Sequence, residues 1–384
     1  MKRIQLIAPL TCLSLAFVTG CPADDTVGND EIGVDTDTAT DTADTTTTDT
    51  DDTIGTTTTD TTDTDTTDTT DTMSECVVDE DCDDQDACTQ DTCNAGSCGH
   101  EDISASCDDQ NSCTVDSCDM ALGCVNDAMV PDPGMQVFSG TGQVANFVVP
   151  DCVTEVHVVA RGAQGGTTEG GKGAQMGGDF PVTPGESLGI VVGKQGLIDS
   201  CGSGGGGGGS YVWHVDDDAM PMLVAGGGGG GNNNWNNTVC RKGIDAVTSA
   251  NGTQGNGNTS APGGINGQGG SGTAPSGVGA GGAGWLSDGQ NSTYSSPATG
   301  GKAPFVFAGG TASVSFGGGP SGGFGGGGGA VCGCGGGGGY SGGGGGEGSS
   351  CRAGGGGGGS FNDGANQSNS VGVGLGDGEV TISW

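Results

Sequence analysis

Positive charge is scarce in this chain. It carries 9 Lys and Arg against 47 Asp and Glu, for a formal net charge of -38. Phosphate recognition needs clustered Lys and Arg, so this balance argues against a nucleic-acid surface. Histidine is scarcer still, at His100, His157 and His214 alone. His157 and His214 fall within expected strands and read as ordinary face residues. No nucleophile motif marks a Ser–His–Asp site, and the chain is not expected to be an enzyme. Long apolar runs are missing after the first twenty residues, so no later stretch is expected to span a bilayer. Helical periodicity is missing as well, which leaves short strands as the regular structure.

What the chain has in abundance is glycine, 88 residues in all. Nearly all lie in the last two-thirds, as runs at 204–209, 226–231, 325–329, 335–339, 342–346 and 354–359. Short apolar stretches that read as strands separate the runs. A disordered glycine linker has no reason to alternate with strands. A packed domain that uses glycine because nothing larger fits does have one.

Residues 1–20 carry a short basic head (Lys2, Arg3), an apolar core and a small-residue end. That is the layout of a secretory signal, too short to read as a spanning helix. The segment Val18-Thr19-Gly20-Cys21 resembles a bacterial lipobox. The resemblance implies cleavage before Cys21 and lipid attachment to it, so a membrane anchor without a membrane crossing is expected. Each buried CH₂ of an acyl chain adds about 0.8 kcal/mol, so several chains hold far better than one. Pro22 gives no signal for inner-membrane retention, which makes the outer membrane the expected site. Residues 21–75 are mostly Asp and Thr and contain no Lys or Arg. So little apolar surface cannot offset chain entropy, and an extended, disordered acidic stalk is expected. Its threonines are of the kind that carries O-linked sugars in mucin-like stalks.

Residues 76–130 hold an internal repeat. Cys82-Asp-Asp-Gln-Asp-Ala-Cys88-Thr-Gln-Asp-Thr-Cys93 recurs as Cys107-Asp-Asp-Gln-Asn-Ser-Cys113-Thr-Val-Asp-Ser-Cys118, and Cys98 and Cys124 follow the two units. A unit this small has no sizeable core and needs disulfides, which an exported location allows. The pattern resembles the slime-mould type cysteine repeat of extracellular matrix proteins. Pairings cannot be derived from spacing. With Cys76 the segment has nine cysteines. One of them must pair outside the segment, pair between molecules or stay free. Zinc is disfavoured, because zinc pairs show shorter spacings and sit in reducing compartments. Asp79, Asp81 and Asp83 have calcium-like spacing. The loop lacks the sixth-position glycine and twelfth-position glutamate of an EF-hand, so calcium would need a loop of another kind. No other cofactor is expected.

Residues 134–384 form the expected glycine-rich domain. Met135–Ser139, 144–149, 153–160, 178–182, 187–192, 210–215, 220–225 and 379–384 are rich in β-branched and aromatic residues and read as strands. Many short strands argue for an all-β sandwich, with the glycine-rich middle inserted into a sheet framework. Polyproline-II helices have three residues per turn and no internal hydrogen bonds. Side by side they can bond to one another if side chains do not hold them apart. A run of five or six glycines presents a bare face in every direction and can sit inside such a bundle. The runs are punctuated by apolar anchors, Trp285, Phe324, Tyr340 and Phe361, for which a linker has little use.

Gly185-Glu-Ser-Leu-Gly-Ile-Val-Val-Gly193-Lys-Gln-Gly196 is similar to a strand and turn of the glycine-rich extracellular domain of anaplastic lymphoma kinase and leukocyte tyrosine kinase. The later order also resembles it. Ser210-Tyr-Val-Trp-His-Val215 comes first, then Leu223-Val-Ala-Gly-Gly-Gly228, then Gly322-Gly-Phe324-Gly-Gly-Gly-Gly-Gly-Ala330. Residues 335–339 with Tyr340 follow, and Gly376-Asp-Gly-Glu-Val-Thr-Ile382 closes the series. The resemblance covers roughly residues 136–384. It implies a sandwich resembling the tumour-necrosis-factor fold, with a polyglycine-helix bundle built onto it, and a module that binds small protein ligands. The spanning helix and kinase of those receptors are absent, so signalling is not implied. The matched motifs are structural, so no ligand-contact residue carries over.

Gly166-Thr-Thr-Glu-Gly-Gly171-Lys172-Gly173 nearly matches a P-loop, but Gly173 stands where a Ser or Thr should hold Mg²⁺. Asp216, Asp217 and Asp218 read as the polar tip of a hairpin. The domain's cysteines are Cys152, Cys201, Cys240, Cys332, Cys334 and Cys351. Cys332 and Cys334 are too close to pair with each other, and each is expected to staple a glycine segment to a neighbour. The expected protein is a lipid-anchored surface module for adhesion or for binding a protein or glycan. The alternatives are a structural envelope or matrix protein joined by interchain disulfides and, third, an extracellular hydrolase.

Overall fold

The computed structural model describes residues 74–200, 202–233, 241–272, 279–293, 295–316, 318, 321–348 and 352–384. The expected signal, Cys21, the acidic segment up to residue 73, and Cys201, Cys240 and Cys351 lie outside them.

The two cysteine repeats are two copies of one small unit. In the first, β1 (Thr89–Asn94) pairs antiparallel with β2 (Ser97–Asp102). In the second, β3 (Thr114–Asp119) pairs in the same way with β4 (Gly123–Ala128). These strands are polar and largely exposed, so sequence pattern alone does not announce them. Their motif explains itself in the turn that precedes each hairpin. Gln85 and Gln110 stand at φ 65° and 61°, a left-handed conformation that side chains rarely adopt. The carboxylates of Asp83 and Asp108 each accept the amide two residues on, at 2.8 Å in both. Asp84 and Asp109 do the same for the next turn and also accept the hydroxyls of Thr89 and Thr114. Asx turns of this kind satisfy backbone donors that no helix or sheet covers. The repeated Asp-Asp-Gln stretch is therefore a backbone scaffold.

The disulfides run as a relay. Each unit closes on itself once, through Cys82–Cys98 and Cys107–Cys124. Each also passes a bond forward. Cys88 of the first unit pairs with Cys118 of the second, and Cys113 of the second pairs with Cys152 in the next domain. Cys93 occupies the receiving position of the first unit and is taken by Cys76. The odd count of nine thus resolves by a pairing outside the repeats.

The glycine-rich domain has two five-stranded sheets. Its strands are β5 (Met135–Ser139), β6 (Ala145–Val148), β7 (Glu155–Arg161), β8 (Gly173–Pro181), β9 (Ser187–Val191), β10 (Ser210–His214), β11 (Leu223–Ala225), β12 (Phe361–Asn362), β13 (Ser370–Gly374) and β14 (Glu379–Ser383). One sheet runs β12-β11-β10-β9-β6 and the other β13-β8-β7-β14-β5, with antiparallel pairings throughout. Val156, Val158, Ala160, Val380 and Ile382 alternate along β7 and β14 and meet Leu188, Ile190, Val212 and Leu223 of the other sheet in one core. The first sheet is buried on its other face as well. There Val191, Tyr211, Trp213 and Val224 pack with Trp285 and Phe307, and Phe324, Tyr340 and Phe361 flank them. A sheet covered on both faces needs apolar residues at successive positions, as Gly-Ile-Val-Val (189–192) and Tyr-Val-Trp (211–213) supply. Gly189 makes room for its cross-strand neighbour, since a Cβ there would lie 2.3 Å from the Trp213 ring.

The covering layer is the glycine bundle. The chain leaves the sheet after β11 and returns at β12, which pairs directly with β11. The insertion expected from the sequence is therefore present. Within it, the amides of Cys334, Gly337 and Tyr340 donate to the carbonyls of Ala353, Gly356 and Gly359 at 3.1, 2.9 and 2.9 Å. The amides of Ala353, Gly356 and Gly359 in turn donate to Glu347, Gly344 and Ser341. Partners recur at every third residue, with neighbouring segments running in both directions. A repeat of three is that of polyproline-II type helices, here bonded laterally as they cannot be internally. At the glycines of the runs, contact is too close for a side chain. A Cβ on Gly206 would lie 1.9 Å from the Gly336 carbonyl oxygen, and one on Gly337 would lie 2.0 Å from that of Gly227.

The staples expected at Cys332 and Cys334 are not found, for both thiols are free. Cys334 is an ordinary member of the bundle through its own amide. Its buried thiol meets the Gly204 amide and the Ser203 hydroxyl, and burial pushes its pKa up to about 12. Around Cys332 and Cys334, backbone hydrogen bonds hold the bundle where disulfides were expected.

Candidate functional site

Carboxylates are the most abundant ionisable groups, and most of those in the repeats are already committed. Asp79 accepts the Cys93 amide at 2.7 Å, Asp81 accepts the Val77 and Val78 amides, and Asp83 accepts the Gln85 amide. The amides of Val77 and Val78 hold the Asp81 carboxyl below the usual carboxylate range. The three calcium candidates thus serve four separate backbone donors. Three other groups gather potential ligand atoms among the described residues: Cys76, Cys82 and Cys93, all held in disulfides, Asp84 with Asp91 and His100, and Asp108 with Asp109 and Asp116. In the histidine group, His100 Nδ1 lies 2.6 Å from Asp91 and 3.3 Å from Asp84. The Asp91 hydrogen bond raises the His100 pKa, and His100 in turn lowers that of Asp91. A shared proton accounts for this cluster. In the second repeat the position of His100 is filled by Asn126.

The remaining histidines lie at sheet surfaces. His157 on β7 faces Asp179 on β8 at 2.5 Å, and Asn366 donates to the same carboxylate. Together they lower the Asp179 pKa, the His157 bond most. His214 lies 3.5 Å from Glu186. The near P-loop at residues 166–173 runs into strand β8, whereas a phosphate cradle opens a helix. Its Lys172 is exposed, and the Lys172 amide donates to Asp245. Asp216, Asp217 and Asp218 form the exposed turn between β10 and β11, as their sequence position implied.

Two open concavities stand out on the described surface. One lies at the junction of the modules, beside the Cys113–Cys152 bond, and is bounded by Pro131, Pro150 and Trp384, with a volume of about 480 Å³. The other, of about 640 Å³, belongs to the glycine-rich domain alone. Gln164, Thr167, Thr168, Gln195 and Asn233 supply amides and hydroxyls around it, and Leu197 and Ile198 form an exposed apolar wall. Its most unusual residue is Thr167, buried at φ 76°. A β-branched residue in that region is strained, and strain of this kind clusters at ligand clamps and active sites. The turn fixes it in place. The Gly170 amide donates to the Thr167 carbonyl, and the Glu169 amide donates to its hydroxyl. Thr167 and Thr168 fall in the near P-loop and Gln195 in the motif at residues 185–196, but neither motif pointed to this site, because three separate chain segments bring its residues together. The strained threonine carries no spacing signal.

Such an arrangement can hold a neutral or weakly polar ligand through amides, hydroxyls and one aliphatic wall. Residues 81–103 and 106–129 each match the family described as the Dictyostelium (slime mold) repeat. The two matches cover the hairpin units and end before the sandwich. No curated protein matches the chain.

Proposed function

We propose that this is a lipid-anchored, surface-exposed binding or adhesion protein whose glycine-rich domain recognises a protein or glycan ligand. The lipobox at Cys21 supports attachment to the outer membrane, and the Asp/Thr segment supports display away from it. The resemblance to the glycine-rich domains of anaplastic lymphoma kinase and leukocyte tyrosine kinase, with its tumour-necrosis-factor-like sandwich, belongs to the same reading. The single observation that carries it is the lateral hydrogen bonding of the glycine runs. A laced bundle is a rigid platform, and rigidity lowers the ordering cost of recognition. The concavity around Thr167 is the ligand site in this reading.

The test uses oxidised, soluble protein spanning residues 74–384. Saturable binding to intact cells of the source, lost on reduction, is the expected result. Leu197→Asp should weaken it by about tenfold or more, since a charge would replace an apolar contact wall. Absence of saturable binding to any cell, protein or glycan array contradicts the reading.

The partly exposed free thiol of Cys332 favours a second reading, a matrix or envelope component joined by interchain disulfides. Disulfide-linked multimers in the native envelope, with no saturable binding, would select it.

A further inference from the structure

Among the described residues of the aromatic layer beneath the glycine bundle, the most exposed ring is that of Phe305. Phe305 and Val306 are 59% and 63% exposed, side by side. Just below them the layer is closed, with Phe307 fully buried and Trp213 and Trp285 nearly so. The Phe305 ring stands edge-on to Trp213 at 6.2 Å and to Trp285 at 6.3 Å. Phe305 and Phe307 adopt φ of 70° and 50°, which bulky residues rarely do. The turn is nevertheless pinned. The Lys302 amide donates to the Ala308 carbonyl, the amides of Gly325 and Gly326 donate to the Phe307 carbonyl, and Asp288 takes the Ala303 amide and the Lys302 ammonium. The strained, fixed turn thus holds a ring that touches the aromatic core on one side and leaves more than half of its surface open to solvent.

The β10–β11 turn borders this knob. The Trp285 indole donates to the Ala219 carbonyl at 3.3 Å, so the exposed turn that carries Asp216, Asp217, Asp218 and Met220 reaches this ring system at Ala219. An exposed apolar turn and a turn bearing a block of negative charge thus adjoin the same indole. We propose that this surface docks a cationic, apolar polypeptide segment, whose aliphatic or aromatic side chains cover Phe305, Val306 and Met220 while its Lys or Arg side chains reach Asp216–Asp218. Rigid aromatic anchors with a charged rim are the usual composition of a binding hot spot. The charge decides among occupants. An anionic membrane would repel the aspartates, and a second copy would set like charges face to face. The proposal rests on the binding function argued above and adds a second contact surface with a defined partner chemistry.

The test selects a display library of random linear peptides on the oxidised full chain at physiological salt. Enriched peptides should combine Lys or Arg with aliphatic or aromatic residues. Their affinity should fall about tenfold or more with Phe305→Ala, with Val306→Asp, and with Asn at all three of positions 216–218. Val371→Asp, on the other sheet, should leave it unchanged. Peptides indifferent to Phe305 and Val306, a selection that enriches nothing, or Phe305-dependent flotation with phosphatidylserine vesicles would each overturn the proposal. Measuring the same variants in the cell-binding assay separates the two claims. Cell binding untouched by Phe305→Ala contradicts this surface and leaves the function standing. Peptide docking through Phe305 without any cell binding does the reverse.

Discussion

His100 shows how a residue that looks like a ligand can be fully occupied by its neighbours. Asp91 and Asp84 face its Nδ1 from the first repeat. The pair is charged when Asp91 has lost its proton and His100 has kept one. His100 has a raised pKa, so its contribution is complete below the ordinary imidazole value and is lost as pH rises through the folded one. Asp91 has a lowered pKa, so its contribution is present above the ordinary carboxylate value and is lost as pH falls through the folded one. Together they predict a first repeat that is tightest between roughly pH 4 and pH 6.5. An NMR titration of the His100 ring should give a midpoint above the ordinary imidazole range, and Asp91→Asn should bring it down. A midpoint indifferent to that substitution contradicts the pairing. At this scale the sequence is easily misread. The acidic stretch from Asp79 to Asp86 has the residue types of a calcium loop. Only the structure shows that amides of the same turns consume most of its carboxylates.

Strands and glycine segments differ in how well they announce themselves. Alternation along β7 and β14 and continuous apolar runs along β9 and β10 follow directly from burial on one face or on two, so those strands are legible. β12 is not, because two residues carry no period and their pairing depends on where the insertion returns. β13 is hidden by its Val-Gly-Val-Gly sequence, which reads as another glycine stretch. The repeat hairpins are hidden because disulfides, with little apolar burial, hold them. The glycine runs are legible as a bundle through steric logic alone, and that logic predicts a contrast between two substitutions. Gly337→Ala places a methyl 2.0 Å from a carbonyl oxygen inside the bundle. Overpacking of this kind destabilises by about 1–3 kcal/mol or more. Gly185 sits at φ 81° with nothing near its missing side chain, so Gly185→Ala meets only backbone strain of about 1–2 kcal/mol. Chemical denaturation should rank Gly337→Ala as the more damaging, with its loss confined to the bundle. Equal or reversed effects would argue that the runs are loosely packed.

Across the whole described body, the disulfide relay joins the two like repeats to each other and to the glycine-rich domain. Sequence spacing could not give the pairings, since the same cysteines allow many. The structure makes each repeat hand one bond to its successor and makes Cys152 the final receiver. Cys152→Ser should therefore leave Cys107–Cys124 and Cys88–Cys118 intact, release the Cys113 thiol and lower stability by about 2–4 kcal/mol. Peptide mapping under non-reducing conditions would find Cys113 newly alkylated and prone to interchain pairing. Scrambled bonds throughout both repeats would contradict the relay.

The central claim is that the glycine-rich two-thirds of the chain is an ordered platform. Native-state hydrogen exchange on the oxidised protein addresses it most directly. Amides of residues 335–339, 355, 356, 358 and 359 donate to carbonyls of neighbouring segments and that of Gly357 to the Thr253 hydroxyl, so they should exchange far more slowly than a solvated chain, and together, as one cooperative unit. Exchange of those amides at unprotected rates, while the sandwich core stays protected, would make the runs a linker and remove the platform from the account.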